Sequence, residues 1–203
     1  MKYLKTMGLL AMLLSAFVSA SSASAAEFHA AAVGTSFSGD QVVTHKFNLT
    51  GSTITCTTAR FSGKTEALTS TTLKAHPDYS GCTAFGFVGA TLSSAGCNYI
   101  FHANTGTLDL EDCTLGKLTI TASSAFGKCV IDIPNQTGVN GQSFSTGGTS
   151  PSRDLIIGMN VTNMQGSVVT STGICPVSVG AHVNLGYTGT TTVKPASGEL
   201  YYT

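Results

Sequence analysis

Three acidic residues lie close together in a chain that carries few charges: Asp109, Glu111 and Asp112. A pair of carboxyl groups can act as acid and base in glycoside hydrolysis, and a larger set can hold calcium. The hydrolytic role needs a second carboxyl group roughly 5 to 10 Å from the first, and the spacing identifies no such partner. Alternation along a strand puts Asp109 and Glu111 on one face, which favours a solvated strand face over a catalytic pair.

Histidine is the side chain whose ordinary pKa lies nearest neutrality, and the chain has five: His29, His45, His76, His102 and His182. Their spacing matches none of the metal-binding patterns H-x-H, H-x-x-x-H or H-E-x-x-H. His45 falls in phase with Val43, Phe47 and Leu49, so we expect a buried, hydrogen-bonded histidine rather than a ligand. The G-x-S-x-G, Walker and G-x-G-x-x-G motifs are also missing, and the sequence therefore predicts no catalytic residue, metal site or cofactor.

Aromatic side chains are the best candidate for ligand binding in the sequence. They cluster near the central cysteines and towards the end of the chain: Tyr79, Phe85, Phe87, Tyr99, Phe101, Tyr187, Tyr201 and Tyr202. The lack of Trp weakens a carbohydrate-stacking interpretation. As the alternative, Phe85 and Phe87 share a strand face and belong to the core, while Tyr201 and Tyr202 belong to a frayed or docked terminal segment.

The first 25 residues have the features of a secretory signal. Lys2 and Lys5 precede an apolar run from Met7 to Val18 that is too short for a stable membrane anchor. Ala23-Ser24-Ala25 fits the small-x-small rule, so we predict cleavage after Ala25, with the bond after Ala26 as a near-equal alternative. The exported part, residues 26–203, has no second apolar run long enough to span a bilayer.

All six cysteines fall in the exported part, and an even number in an oxidising compartment predicts three disulfides. No two of them have the short separation that lets both thiolates reach one zinc ion. Six cysteines allow fifteen pairings. The sequential pairing is preferred: Cys56–Cys82, Cys97–Cys113 and Cys129–Cys175.

The middle pair can be tested against a hairpin. Placing Cys97 directly opposite Cys113 leaves Asn104-Thr105-Gly106 as a three-residue loop, with glycine at the left-handed position. This register sets Phe101 opposite Asp109, whereas a one-residue slip sets Phe101 opposite a leucine and separates the cysteines. The two arrangements exclude each other in a regular hairpin, and we prefer the register that keeps the disulfide.

Period-two alternation of apolar and polar residues recurs after residue 40, and no window has a helical period. The alternation is clearest around Leu155, Ile157, Met159 and Val161. Predicted strands cover 41–49, 53–61, 66–73, 85–92, 97–103, 117–122, 128–133, 155–162 and 183–193. The sequence thus predicts an all-β chain of about a dozen short antiparallel strands, forming a sandwich or a barrel. Residues 134–152 are rich in Gly, Ser and Thr, and we expect a long loop or a boundary between two units there.

The composition excludes some functions. Charged residues make up 10% of the chain, and ten cations balance ten anions. Removing Lys2 and Lys5 leaves a formal charge of −2 on the exported part. Binding to nucleic acid or to an anionic membrane by electrostatic attraction alone is therefore disfavoured.

Several motifs resemble a family of uncharacterised secreted bacterial β proteins with six cysteines, frequent among actinobacteria. The shared patterns are E-F-H-A at 27–30, Q-x-x-x-H-x-F at 41–47, C-x-x-A-x-F-x-G at 56–63, Y-x-G-C-x-A-F-G at 79–86 and G-C-x-Y at 96–99. The resemblance covers most of the exported chain up to about residue 135. It implies export and a disulfide-bonded β fold, and it implies no activity.

These features favour a non-enzymatic protein that is secreted, at the cell surface or in a periplasm, and that acts in adhesion or ligand binding. Its partner is expected to be cell-wall or extracellular polysaccharide, or another surface protein. The alternative is a secreted hydrolase of glycans that uses Asp109, Glu111 or Asp112 as acid and base. An outer-membrane barrel is disfavoured by the six cysteines.

Overall fold

A computed structural model describes residues 25–203, and every regular element in that range is a β-strand. The predicted signal peptide lies outside the described residues, apart from its last residue. The strands are β1 (Phe28–Ala30), β2 (Ser36–Leu49), β3 (Ser52–Lys64), β4 (Thr69–Ser70), β5 (Thr72–Ala84), β6 (Val88–Ser93), β7 (Asn98–His102), β8 (Thr107–Glu111), β9 (Lys117–Ser124), β10 (Gly127–Pro134), β11 (Gln136–Asn140), β12 (Gln142–Gly147), β13 (Asp154–Ser171), β14 (His182–Pro195) and β15 (Leu200–Tyr202). The prediction of an all-β chain is confirmed.

Eight antiparallel strands close into a barrel in the order β3-β2-β14-β13-β10-β9-β6-β5, which confirms the predicted antiparallel sandwich or barrel class. Strand β5 is shared between two neighbours. Its last residues pair with β6, and its first residues pair with β7, which continues the sheet through β8 to β11. Strand β12 pairs with β13, and a small separate sheet has the order β15-β1-β4.

The ladder registers bring four connections to one end of the barrel. Ala84 pairs with Val88, Gly127 with Ser124 and Leu49 with Ser52, so the three short turns between these strands lie at the same end. The loop from β13 to β14 joins them, because Cys129 pairs with Ser171. We call this end of the barrel the loop end.

The core follows from alternation, since every second side chain of the long strands points inwards. In β13 the predicted inward residues Leu155, Ile157, Met159 and Val161 are all buried. The largest enclosed side chains are aromatic, with Phe47, Phe61, Phe101, Tyr99 and Tyr187 excluded from solvent. Side chains rather than a channel therefore fill the interior.

All three predicted disulfides are present: Cys56–Cys82, Cys97–Cys113 and Cys129–Cys175. The first joins directly opposed residues of β3 and β5. The last fixes the β13–β14 loop to β10. In the chain-entropy model, loops of these lengths contribute roughly 3 to 4 kcal/mol each.

The predicted register of the β7–β8 hairpin is wrong by one residue. Phe101 pairs with Leu108, not with Asp109, and the slip lies opposite in direction to the alternative considered from the sequence. The cysteines still bond because Asp112 has a φ of 55°, a left-handed conformation that turns the chain before Cys113. One irregular residue thus permits both the apolar pairing and the disulfide.

Two further expectations are wrong. Phe85 and Phe87 do not share a strand face, because residues 85–87 form the β5–β6 turn, with Phe85 at a φ of 56°. Phe85 is half-buried and packs against the core, whereas Phe87 is exposed. The expected loop at 134–152 holds β11 and β12, which pair with β8 and β13.

Within residues 25–203, no helix has the length and apolar character required to cross a membrane.

Candidate functional site

The three acidic residues singled out in the sequence lie on the outer side of the sheet extension formed by β5, β7 and β8. Lys74 of β5 pairs with Ile100 of β7, which pairs with Asp109 of β8. In the neighbouring row, Asn98 pairs with Glu111. The seven polar side chains of this surface define the polar face: Lys74, His76, Asn98, His102, Asp109, Glu111 and Asp112.

Asp112 is bound by two side chains from neighbouring strands. Its Oδ2 accepts a hydrogen bond from Lys74 Nζ at 2.6 Å and another from Asn98 Nδ2 at 3.2 Å. These bonds, with that from Lys74 the stronger, lower the pKa of the Asp112 carboxyl group. The bond to Asp112 also raises the pKa of Lys74. Both groups are therefore charged at neutral pH.

Asp109 is held by two donors. Its Oδ2 accepts a hydrogen bond from His102 Nε2 at 2.8 Å, and its Oδ1 accepts one from the backbone N–H of Gly138 at 2.6 Å. Gly138 belongs to β11, which lies beside β8. Asp109 thus links the β7–β8 hairpin to β11, which lies within the predicted loop at 134–152.

Two shallow depressions flank Asp112. One, of about 280 Å³, is lined by Ser62, Gly63, Lys64, Glu66, Lys74, His76 and Asn98. The other, of about 400 Å³, is lined by Leu110, Glu111, Asp112, Asn135, Gln136 and Thr137. Most of these side chains offer hydrogen-bond donors or acceptors, so the two depressions suit a ligand rich in hydroxyl groups.

His76, in the first depression, has a fixed orientation. Its Nδ1 donates a hydrogen bond to the backbone carbonyl of Cys97 at 2.7 Å. The neutral ring therefore keeps Nε2 as a hydrogen-bond acceptor. The Cys97–Cys113 disulfide holds the carbonyl in place, so the histidine is oriented before any ligand arrives.

A second polar cluster is enclosed in the barrel and was not predicted as a whole. Hydrogen bonds join Thr191 Oγ1 and His45 Nε2 (2.9 Å), His45 Nδ1 and the Tyr187 hydroxyl (2.7 Å), the Tyr187 and Tyr79 hydroxyls (2.6 Å), and the Tyr79 and Tyr99 hydroxyls (2.9 Å). Burial lowers the pKa of His45 to about 4 and raises the pKa of each tyrosine. Every side chain of this buried cluster is therefore neutral near pH 7.

The expectation of a buried, hydrogen-bonded His45 is confirmed. Room for the ring depends on Gly189, because a Cβ there would lie 2.6 Å from His45 Cγ. Period-two alternation was sufficient to find His45, but its partners come from strands more than 30 residues away along the chain.

Most of the candidate aromatic residues have structural positions. Tyr79, Tyr99, Phe101 and Tyr187 are buried, and Tyr201 and Tyr202 are docked as β15 against β1. Tyr201 stacks on the His29 ring at 5.0 Å, and the Arg153 guanidinium lies 3.3 Å from its ring centre. Of the aromatic candidates, only Phe87 is largely exposed.

Among the described residues, no three His, Cys, Asp or Glu side chains converge in a way that could hold a metal ion.

Comparison of the chain with family models, curated proteins and solved structures finds no match. Function is therefore inferred from the chain's own geometry.

Proposed function

We propose that this protein is a non-enzymatic extracellular binding module that takes a hydroxyl-rich polymer, such as cell-wall or extracellular polysaccharide, across the polar face. The observation that carries the proposal is the Lys74–Asp112–Asn98 cluster between the two depressions. It presents fixed charges and amide groups at hydrogen-bond distance from one another. A ligand that bridges the depressions meets groups that are already oriented, which reduces the entropy cost of binding.

Export is supported by two independent features. Residues 1–25 have the charged start, short apolar run and small residues of a secretory signal. All six cysteines are paired, and disulfides of this kind persist in oxidising compartments. A surface rich in Ser and Thr rather than in charged groups suits a polar, uncharged ligand.

The contacts of the carboxylates favour binding over hydrolysis. A general acid for glycoside hydrolysis needs a raised pKa, whereas the pKa of Asp112 is lowered. Both oxygens of Asp109 accept hydrogen bonds from within the protein. These two carboxylates are placed to accept and orient hydrogen bonds rather than to transfer protons.

The test is co-sedimentation of the oxidised exported protein with bacterial cell walls and insoluble polysaccharides, with release of soluble sugar followed in the same tubes. We expect saturable binding without sugar release. Asp112→Asn keeps the shape of the side chain, and asparagine tolerates the left-handed backbone conformation. The substitution removes the negative charge that Lys74 faces. It should weaken binding about fivefold or more, a loss of roughly 1 kcal/mol.

Asp40→Asn is the matched control, because Asp40 pairs with Arg60 on an exposed surface outside the polar face. It should leave binding unchanged. Equal loss in both variants, or no binding to any polymer, would remove the proposal. Sugar release that is lost in Asp112→Asn, with folding intact, would favour the hydrolase instead.

A further inference from the structure

Two phenylalanine side chains are exposed to solvent at the loop end of the barrel. Phe87, in the β5–β6 turn, is 77% exposed, and Phe126, in the β9–β10 turn, is 78% exposed. We call these two side chains the apolar rim. Large exposed apolar groups that gather at one place mark an interaction surface rather than ordinary surface composition.

The ladder places the two turns that carry these rings close together. The β5–β6 and β9–β10 turns are separated by two strand spacings, because β6 pairs with β9. At about 4.8 Å for each spacing, the turns lie roughly 10 Å apart. Both rings are therefore carried on neighbouring turns of one barrel end.

The rim is held in position by the backbone around it. Gly127 and Gly173 lie so close to the facing loop that a Cβ on either would collide with a backbone carbonyl, of Thr172 and Phe126 respectively. The Cys129–Cys175 disulfide ties the same loop to β10. In the other turn, Phe85 adopts a left-handed conformation that is rare for a bulky residue. Backbone conformations of this kind cluster at binding and active sites, which supports a binding role for this turn.

The charges around the rim select the class of partner. The strand segments and turns that form the loop end fall within 41–65, 79–108, 113–131 and 155–198, and none of these stretches contains Asp or Glu. Of the cations on these stretches, the exposed Lys46 and Lys128 lie nearest the loop end, three residues from Leu49 and next to Gly127. Apolar tips with nearby cations and no carboxylates complement a phospholipid surface, where anionic headgroups surround a hydrocarbon interior.

We propose that the apolar rim docks this protein on a phospholipid bilayer, with Phe87 and Phe126 inserted at the boundary between headgroups and acyl chains. The side chains of the apolar rim project from the end of the barrel, so they can enter a deformable planar surface such as a bilayer. With only two nearby lysines, the attraction is mainly hydrophobic and differs from the electrostatic membrane binding that the composition disfavours. The polar face is separate, because Lys74 lies ten residues from Ala84 along β5, about 30 Å.

The test measures co-sedimentation of the oxidised exported protein with vesicles of phosphatidylcholine and with vesicles of equal parts phosphatidylcholine and phosphatidylglycerol. We expect binding to both, stronger with phosphatidylglycerol and retained at high salt. Phe87→Ser with Phe126→Ser should lower the partition coefficient roughly a hundredfold, about tenfold for each ring. Val33→Ser with Leu68→Ser is the control, since these residues are 59% and 55% exposed outside the loop end.

Fluorescence gives a second measurement that does not depend on a loss of binding. The chain contains no Trp, so Phe126→Trp introduces a single reporter into the rim. Its emission should shift to the blue with either vesicle, whereas emission from Leu68→Trp should not.

The proposal is overturned by no vesicle binding of the unchanged protein, by unchanged binding of the double rim variant, or by binding that vanishes at high salt. Self-association that the double rim variant abolishes, without vesicle binding, would assign the rim to a second copy of the chain and also overturn it. Polysaccharide binding in the double rim variant reports on the polar face separately.

Discussion

At the scale of single residues, the buried His45 makes stability depend on pH. The folded protein holds the pKa of His45 at about 4, below the ordinary 6.5, because burial disfavours the charged ring. As the pH falls below 6.5 the unfolded chain takes up a proton that the folded chain does not. The free energy of unfolding therefore falls between pH 6.5 and 4, by a total of about 3 kcal/mol.

His45→Gln removes this contribution, and urea unfolding at several pH values measures it. The variant loses stability at pH 7, because a cavity and broken hydrogen bonds remain, but its loss relative to the unchanged protein should shrink towards pH 4. Other titrating groups are shared by the two proteins, so the difference between the profiles isolates His45. Parallel profiles would contradict the prediction.

The candidate residues show how far local patterns reach. His45 could be predicted as buried because its neighbours alternate, and Asp109, Glu111 and Asp112 could be found because they are close in sequence. Lys74 and Asn98 could not be assigned to Asp112, since the contact joins residues that are 38 and 14 positions apart. The left-handed φ of Asp112 also leaves no clear trace in the sequence.

At the scale of elements, the β7–β8 hairpin depends on the bond that closes it. The separation between Cys97 and Cys113 is 16 residues, whereas that between Cys129 and Cys175 is 46. Replacing the first pair by serines should lower the free energy of unfolding by roughly 3 kcal/mol, and replacing the second by roughly 4 kcal/mol. Longer loops leave the unfolded chain more freedom once the bond is removed.

Urea unfolding of the two double variants under oxidising conditions measures both losses. Each keeps the other two disulfides intact, so each serves as the control for the other. A larger loss from Cys97→Ser with Cys113→Ser would contradict the loop-length argument.

Alternation predicted the long strands well, because one face of each is buried and the other is wet. It failed at Phe85 and Phe87, where an apolar-x-apolar pattern continues into a turn around Gly86. The division of β5 between β6 and β7 was also beyond the sequence. Packing between distant segments decides that β6 pairs with the end of β5 and β7 with its start. The residue pattern within a single strand does not carry this information.

At the scale of the whole molecule, the small sheet joins the two ends of the described chain. β1 lies between β4 and β15, and Phe28 is buried there with its ring edge-on to Phe144 at 5.0 Å. Phe28→Ala should lower the free energy of unfolding by about 3 to 5 kcal/mol, through lost burial and the cavity that remains.

Thermal and urea unfolding measure this effect, and Phe87→Ala is the control of the same residue type. Because Phe87 is exposed, its replacement should change stability by no more than about 0.5 kcal/mol. Similar values for the two variants would mean that the small sheet adds little to the fold.

Strand β5 runs from the polar face to the loop end. Its length sets the distance between the polar face and a membrane bound at the loop end. With lipid at the loop end, the bilayer surface lies about 30 Å from Lys74. Electrostatic screening at physiological ionic strength acts over about 8 Å, so the charge of the lipid does not reach the Lys74–Asp112 pair. On the two proposals together, we expect a polymer on the polar face to be recognised in the same way above neutral and anionic bilayers, with membrane composition setting how many molecules are present and not what they bind.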